Sequence, residues 1–163
     1  MKIGIIVHSK TGNTLSVAQE LKEKLLKDGH SVNLEKLTAV NDDQTEAGKI
    51  QLKSIPDITE YDALIFGAPV RGFSLSPVMT AYLIQLSSLS NKKAACFLTQ
   101  FFPFPSMGGN HAMEQMKGLC NYKDIRVCET GIVNWSNIHR RKKISDVIES
   151  FSKVIIGNDF IKL

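Results

Sequence analysis

Residues 3–14 read Ile3-Gly4-Ile5-Ile6-Val7-His8-Ser9-Lys10-Thr11-Gly12-Asn13-Thr14, an apolar run that passes directly into a polar loop. The apolar half is typical of a buried strand, and the amphipathic stretch 15–27 that follows the loop predicts a helix. The loop therefore joins the end of a strand to the N-terminus of a helix. Unpaired backbone N–H groups and the positive end of the helix dipole can bind a phosphate there.

This polar loop has two interpretations. Ser, Thr, Asn and Gly are preferred in any helix N-cap or tight turn, so a simple strand-to-helix turn would also explain it. A cap needs one side chain, whereas Ser9, Thr11 and Thr14 supply three hydroxyls, so the residues alone leave a phosphate site and a plain turn both open. No Gly-Lys-Ser/Thr follows at P-loop spacing, and the glycine-repeat dinucleotide fingerprint is absent, so a nucleoside triphosphate is not expected.

Length and composition indicate one ordinary globular domain. With 163 residues we expect residues 1–163 to form a single domain. The net charge of +4 equals the contribution of one run, Arg140-Arg141-Lys142-Lys143. Cys96, Cys120 and Cys128 lack zinc-site spacing, so no metal site is predicted and buried free thiols are expected. An odd cysteine count, with no signal peptide or membrane span, favours a cytoplasmic protein.

Apolar runs alternate with helical patterns along the chain. The patterns predict strands at 3–7, 32–37, 63–66, 94–99 and 125–133, and helices at 14–27, 77–86, 110–119 and 142–156, with a short helix at 47–53. This alternation predicts an α/β fold, a doubly wound five-stranded parallel sheet with helices on both faces. The charged second strand suits an edge. With strand order 2-1-3-4-5, ligands bind beyond the carboxyl ends of strands 1 and 3, which selects loops 8–14, 67–73 and 99–109.

Residues 5–21 resemble the signature of the flavodoxin family. The matching positions are Ser9, Gly12, Thr14, Ala18 and Leu21. Only Val7 departs, because the family favours Tyr or Phe there. The resemblance implies a flavodoxin-like, FMN-binding fold in which the first loop wraps the ribityl phosphate. The expected phosphate-binding residues are Ser9, Lys10, Thr11, Gly12, Asn13 and Thr14.

The same resemblance implies that the second and third loops flank the isoalloxazine ring. One wall would consist of Pro69, Val70, Arg71, Gly72 and Phe73, and the other of Thr99, Gln100, Phe101, Gly108 and Gly109. Many flavodoxins stack Trp or Tyr on the ring, whereas the aromatic residues here are Phe73, Phe101, Phe102 and Phe104. Each phenylalanine is either local core or a contact for a ligand or partner. Three in one proline-containing loop are hard to bury together.

Three functions are compatible with the resemblance. The first is an FMN-binding electron-transfer protein that serves a redox partner protein, with the flavin performing the chemistry. The second is an NAD(P)H-dependent FMN or quinone reductase on the same fold. The third, a binding module without cofactor, is disfavoured by the intact hydroxyl loop. The three loops contain no Ser-His-Asp, Cys-His or paired-carboxylate arrangement, so no catalytic side chain is predicted, and the fold alone does not decide between carrier and enzyme.

The basic run 139–143 follows the last strand and therefore lies at the same end of the sheet as the three loops. A charge run is usually a solvated helix face. Cations at the start of a helix oppose its dipole, however, and beside a flavin they would steer an acidic partner, either a ferredoxin-like protein or a reductase. Carriers of the flavodoxin family are usually acidic, so this charge is a departure. One short run is weak support for nucleic-acid binding, and we expect neither nucleic acid nor a membrane as partner.

Overall fold

The computed structural model describes residues 1–87 and 91–157. In chain order the elements are β1 (Lys2–Val7), α1 (Asn13–Lys27), β2 (Ser31–Lys36), a 3₁₀ helix (Ala47–Lys49), β3 (Ala63–Arg71), β4 (Ser74–Leu75), α2 (Pro77–Gln85), β5 (Lys92–Gln100), α3 (Gly109–Tyr122), β6 (Ile125–Asn134) and α4 (Arg140–Ile156). Each predicted strand and long helix is present. The short helix expected at 47–53 is a single 3₁₀ turn.

The five long strands form a parallel sheet in the order β2-β1-β3-β5-β6, which is the arrangement predicted for them, with β2 at an edge. The prediction of five strands was wrong in one respect, because the sheet has a sixth. β4 pairs antiparallel with the end of β3, with Val70 opposite Leu75 and Arg71 opposite Ser74. This hairpin satisfies backbone groups of residues 69–71 that were expected to be loop. The doubly wound α/β class is confirmed.

Helices cover both faces of the sheet. Successive strand residues point to opposite faces, so a central strand must be apolar throughout. In β1, Ile5 packs with the α1 and α4 cluster, whereas Ile6 packs with the α2 and α3 cluster. The first cluster includes Val17, Leu21, Val147 and Phe151, and the second includes Val78, Tyr82, Met113 and Met116. These two cores hold the strand ends, and thus the three loops, in fixed positions.

The three cysteines form no disulfide, but only two of them are buried. Cys96 and Cys120 lie in the core, while Cys128, on the edge strand β6, is half-buried, so the expectation of three buried thiols was wrong for Cys128. A hydrogen bond with Cys120 and burial both raise the pKa of Cys96, which keeps it a thiol. In residues 1–87 and 91–157, no three His, Cys, Asp or Glu side chains are placed to hold a metal ion. Of the described helices, none combines the length and apolar character needed to cross a membrane.

Candidate functional site

The three predicted loops meet at the carboxyl ends of β1, β3 and β5. The backbone N–H of His8 donates to the carbonyl of Gly67 at 3.0 Å, which joins the first loop to the end of β3. The hydroxyls of Thr14 and Thr99 lie 2.7 Å apart, which joins the first loop to the third. The second and third loops also touch, because a Cβ built on Gly108 would lie only 2.8 Å from the Cα of Phe73.

The first loop is open at its tip and anchored at its base. Gly12 has a left-handed backbone (φ 95°), and a Cβ placed there would meet no atom within 4 Å. The Oγ of Ser9 accepts the N–H of Leu15 at 3.2 Å, and the N–H of Ser16 donates to the carbonyl of Gly12 at 2.9 Å. The N–H groups that precede Leu15 therefore have no partner within the helix and can donate hydrogen bonds to an anion.

Hydroxyl groups at the base of this loop are held in place before any ligand binds. Thr14 is 1 % exposed, and its hydroxyl pairs with that of Thr99 in a buried hydrogen bond. In such a pair one hydroxyl donates, and the proton of the other stays free for a second acceptor. The donor set of the first loop thus consists of backbone amides, the exposed Thr11 hydroxyl and one further hydroxyl proton, and it fits a phosphate.

The second loop is a tight hairpin with an aromatic residue at its tip. Gly72 and Phe73 connect β3 to β4 with φ values of 54° and 62°, as expected for a type I′ turn. A left-handed conformation costs a bulky residue about 1–2 kcal/mol. Contacts with the third loop offset that cost, because the Phe73 ring stacks on Phe102 and its backbone packs on Gly108.

The third loop exposes its phenyl rings, while its backbone carbonyl groups are hydrogen-bonded toward the protein. Four consecutive carbonyl groups accept hydrogen bonds from neighbouring residues: Phe101 from the Ser136 N–H, Phe102 from Asn134 Nδ2, Pro103 from Asn137 Nδ2 and Phe104 from Gln100 Nε2. With the backbone on the inside, Phe101, Phe102 and Phe104 are exposed. Of the two interpretations of these phenylalanines, contact with a ligand or partner is the one that their exposure supports.

Phe102 is the phenylalanine of this loop that stacks on the second loop. Its ring centroid lies 5.8 Å from that of Phe73, and the two planes differ by 2°. Phe101, the residue that the sequence indicated as part of the wall, meets Phe102 edge to face at 6.1 Å and is 72 % exposed. A sequence signal for Phe102 existed, since it is one of three phenylalanines in the loop, but nothing in the sequence ranked it first.

The stacked pair also limits where a flat ring can bind. Two aromatic planes that sandwich a third need a separation of about 7 Å, twice a contact distance of about 3.5 Å. The planes of Phe73 and Phe102 are closer than that, because parallel planes cannot be farther apart than their centroids, which are 5.8 Å apart. A flavin ring therefore has two options, to stack on an outer face of this pair or to separate it.

A buried acceptor without a partner lies beside the third loop. Gln100 Oε1 is buried and receives no hydrogen bond from the described residues, although the Nε2 of the same side chain donates to Phe104. Gly109 is close by, since a Cβ there would lie 3.1 Å from this oxygen. An unpaired buried acceptor costs about 1–3 kcal/mol, a cost that a ligand N–H group would remove. This orphaned oxygen is a second feature that fits a bound polar heterocycle.

Sequence reasoning missed a hydrogen-bond chain next to the first loop. His8 is buried, with its Nδ1 2.9 Å from Ser76 Oγ and its Nε2 2.8 Å from Asp42 Oδ1. Burial, together with the charges of Arg71 and Lys10, lowers the pKa of His8 below its usual value although Asp42 raises it, so the ring is neutral at pH 7. A carboxylate only accepts, so Nε2–H donates to Asp42 and Nδ1 accepts from Ser76, whose Oγ in turn accepts the N–H of Met79.

The hydrogen bonds of His8 link the segment between β2 and β3 to the site. Besides the His8 contact with Asp42, Lys10 pairs with Asp43, and Arg71 donates to the carbonyl of Asp42 at 3.0 Å. The pairing with Lys10 lowers the pKa of Asp43. Ser76 is fully buried as the N-cap of α2, so the Ser-His-Asp contact is structural and does not present a nucleophile. Asp42 and Asp43 lie in the stretch 38–60, for which the sequence predicts no chemistry, and they form an outer wall of the first loop.

Solved structures with the same fold come from several bacteria. A cysteine-to-serine mutant of a flavodoxin from Pseudomonas aeruginosa has a TM-score of 0.67 and 16 % identity, covering 96 % of this chain and 100 % of that chain. The oxidised flavodoxin 2 from Bacillus cereus has 0.65 and 19 %, covering 94 % and 99 %. A flavoprotein from Lactobacillus acidophilus NCFM in complex with FMN has 0.64 and 17 %, covering 93 % and 99 %. At these identities the likeness shows the fold.

Sequence comparison identifies the family directly. No curated protein matches the chain significantly. The family model described as a flavodoxin domain matches residues 4–134, which include the loop at the end of β1, the hairpin at the end of β3 and the loop after β5. Because that match spans most of the chain, and the sheet order and loop positions agree with it, the chain belongs to the flavodoxin family.

Proposed function

We propose that this protein is an FMN-dependent electron-transfer protein, built as one domain over residues 1–163. FMN as cofactor is supported by the flavodoxin-domain match and by the similar flavoprotein solved with FMN. The observation that carries the proposal is the first loop, in which the Thr14 and Thr99 hydroxyls are already paired at the N-terminus of α1. That arrangement suits a terminal phosphomonoester.

The predicted residues divide between the two ends of the cofactor. Ser9 to Thr14 would hold the phosphate through backbone amides and hydroxyls. The ring would lie against the second and third loops, with the hairpin 69–73 on one side and Thr99, Gln100, Phe101, Gly108 and Gly109 on the other. Phe102 joins that wall, because it stacks on Phe73. The buried Gln100 Oε1 is available to accept a hydrogen bond from the ring.

Bound FMN supplies the electron-transfer chemistry, and the side chains of this chain supply binding and orientation. The buried His8 beside the site cannot exchange protons readily, because both of its ring nitrogens are engaged with Asp42 and Ser76. We therefore assign no catalytic side chain and favour a carrier that exchanges electrons with a redox partner protein. A cytoplasmic location stays a prediction.

Comparing FMN with riboflavin tests the phosphate site. The two flavins share the ring and the ribityl chain and differ only in the phosphate. Each charge-assisted hydrogen bond contributes about 1.5–3 kcal/mol, so two of them predict at least about 100-fold tighter binding of FMN. The measurement is a fluorescence-quenching titration of the apoprotein with each flavin. Equal affinity for the two flavins would refute the assignment of the first loop.

Reduction by nicotinamide cofactors distinguishes the carrier from the reductase. We expect NADH or NADPH alone to leave the flavin absorbance of the FMN-loaded protein unchanged over minutes, whereas dithionite bleaches it. Rapid bleaching by NAD(P)H, followed by turnover with a quinone well above the rate of free FMN, would establish the reductase instead.

A further inference from the structure

The basic run at the start of α4 divides into two pairs with different surroundings. Arg141 donates to Glu20 at 2.7 Å, and Lys142 donates to Asp146 at 3.0 Å, so carboxylates compensate both charges. Arg140 and Lys143 are three residues apart and share a helix face. Arg140 donates to the carbonyl of Trp135 and lies 4.7 Å from its ring centroid, while Lys143 is exposed. In the part of the chain that the structure describes, no Asp or Glu forms an ion pair with Arg140 or Lys143.

Arg140 and Lys143 line a cavity that opens beside the third loop. Its volume is about 290 Å³, and its walls come from the third loop, the end of β6 and the start of α4. Phe104 and Ile132 form its apolar side, and His139 adds a further basic group to Arg140 and Lys143. No Asp or Glu is among the described residues that line it. The cavity is thus matched to an anionic group on an apolar stem, as in an aspartate or glutamate side chain.

Exposed apolar side chains belong to the same chain segments that line this cavity. Phe101, Phe104 and Ile138 are 72, 59 and 92 % exposed, and the stacked pair Phe73 and Phe102 extends the surface to the proposed ring site. Aromatic residues and arginine are enriched at the centres of protein interfaces. We call these five apolar side chains, together with Arg140 and Lys143, the aromatic–basic face.

We propose that the aromatic–basic face is the docking surface for an acidic redox protein, which inserts a carboxylate side chain between Phe104, Arg140 and Lys143. The proposal rests on the electron-transfer function proposed above and identifies the partner's chemistry. Electron transfer needs the partner close to the ring, and this face includes Phe73 and Phe102, which line the proposed ring site. Electrostatic complementarity then sets the encounter rate and the orientation.

Charge repulsion acts against the other obvious occupant, a second copy of the chain. A second copy of the chain has a net charge of +4 and would bring the same basic groups against this face, which repels it. The tied carbonyls of the third loop favour docking further, because a surface whose backbone is already fixed loses less conformational freedom on binding.

The two cation pairs provide a matched experiment. The test variant is Arg140→Gln with Lys143→Gln, and the control is Arg141→Gln with Lys142→Gln. Both variants lose two positive charges from the same helix turn, so both have the same net charge. A third variant, Lys143→Gln alone, leaves the Arg140 contact with Trp135 intact, in case that contact supports the fold.

The reaction is followed with the FMN-loaded protein and an acidic iron–sulfur electron carrier. In each encounter one electron leaves the chemically reduced flavin and reduces one ferric ion of the carrier. Stopped-flow absorbance gives the second-order rate across a salt series, and isothermal titration calorimetry gives the affinity of the two oxidised proteins. A duplex DNA is titrated separately, as a probe for a nucleic-acid partner.

For the test variant we expect a second-order rate about tenfold lower at low salt, and a flatter dependence of that rate on salt. Lys143→Gln alone should lose about half as much on a logarithmic scale of the rate. The control variant should change the rate by less than about twofold. Equal losses in the two double variants would overturn the proposal, since net charge alone would then explain them. Tighter binding of DNA than of the carrier would overturn it as well. Carrier binding that depends on Arg140 and Lys143, without electron transfer, would support the docking surface and refute the proposed function.

Discussion

The proposed phosphate end and the proposed ring end of the candidate site are built differently. At the phosphate end, Thr14 and Thr99 are buried and hydrogen-bonded to each other, and Gly12 leaves the loop tip open. At the ring end, Phe73 and Phe102 are exposed and held by stacking. A phosphate requires donors at particular positions, so its site is local and specific in residue type. Stacking of a flat ring requires only apolar surface, which several residues can supply.

The largest expected effect is at the phosphate end. Thr14→Ala removes one hydroxyl of the buried pair and leaves Thr99 without its partner, so the free energy of unfolding of the apoprotein should fall by about 1–3 kcal/mol. Thr14→Ser keeps the hydroxyl and serves as the control in urea denaturation. Unchanged stability in Thr14→Ala would mean that this end of the site is not preorganised, and the contrast between the two ends would disappear.

The ring end should respond more weakly and to one phenylalanine in particular. Phe102→Ala removes the partner of Phe73 and a surface for the flavin, and aromatic pairs contribute about 1 kcal/mol, so FMN affinity should fall about fivefold. Phe101→Ala removes a ring of similar size that is mostly exposed and should change FMN affinity by less than about twofold. The reverse order in a flavin titration would place the flavin against Phe101.

The smallest effect concerns the histidine that supports the phosphate end. The pKa of His8 is below its usual value of 6.5 in the folded protein, mainly because of burial, although Asp42 opposes that effect and Arg71 and Lys10 add to it. As the pH falls below 6.5, the unfolded state takes up a proton that folded His8 resists, so stability is lost on the acid side. The free energy of unfolding should therefore fall more steeply between pH 7 and pH 5 than in His8→Gln.

His8→Gln is the matched control because it retains a polar side chain between Asp42 and Ser76. Burial also lowers the pKa of His30, but that residue is present in both proteins, so their difference isolates His8. Parallel curves of unfolding free energy against pH would show that His8 is protonated equally in the folded and unfolded states. The outer wall formed by Asp42 and Asp43 would then not depend on a neutral histidine.

Much of this architecture was predictable from local sequence. The apolar run at 3–7, the polar loop to Thr14 and the amphipathic stretch after it specify a strand, a turn and a helix through contacts between neighbouring residues. The repetition of that pattern predicts the parallel sheet. The resemblance to flavodoxins carried the loop assignments further, and the family match over residues 4–134 confirms the family.

Other features depend on residues that are distant in the chain. Phe73 meets Phe102, and His8 meets Asp42 and Ser76, only because the sheet order places their loops side by side. The second loop becomes a hairpin because β4 pairs with the end of β3.

The basic run shows the same division between sequence and tertiary structure. Its charge and its position after the last strand follow from the sequence alone, because both depend only on residue type and order. Glu20, which pairs with Arg141, comes from another helix, and the wall that Arg140 and Lys143 share with Phe104 comes from another loop. The four cations 140–143 therefore look equivalent in the sequence but have different partners in the folded protein. Their burial and ion pairing depend largely on residues from other elements, which only the packed structure brings next to them.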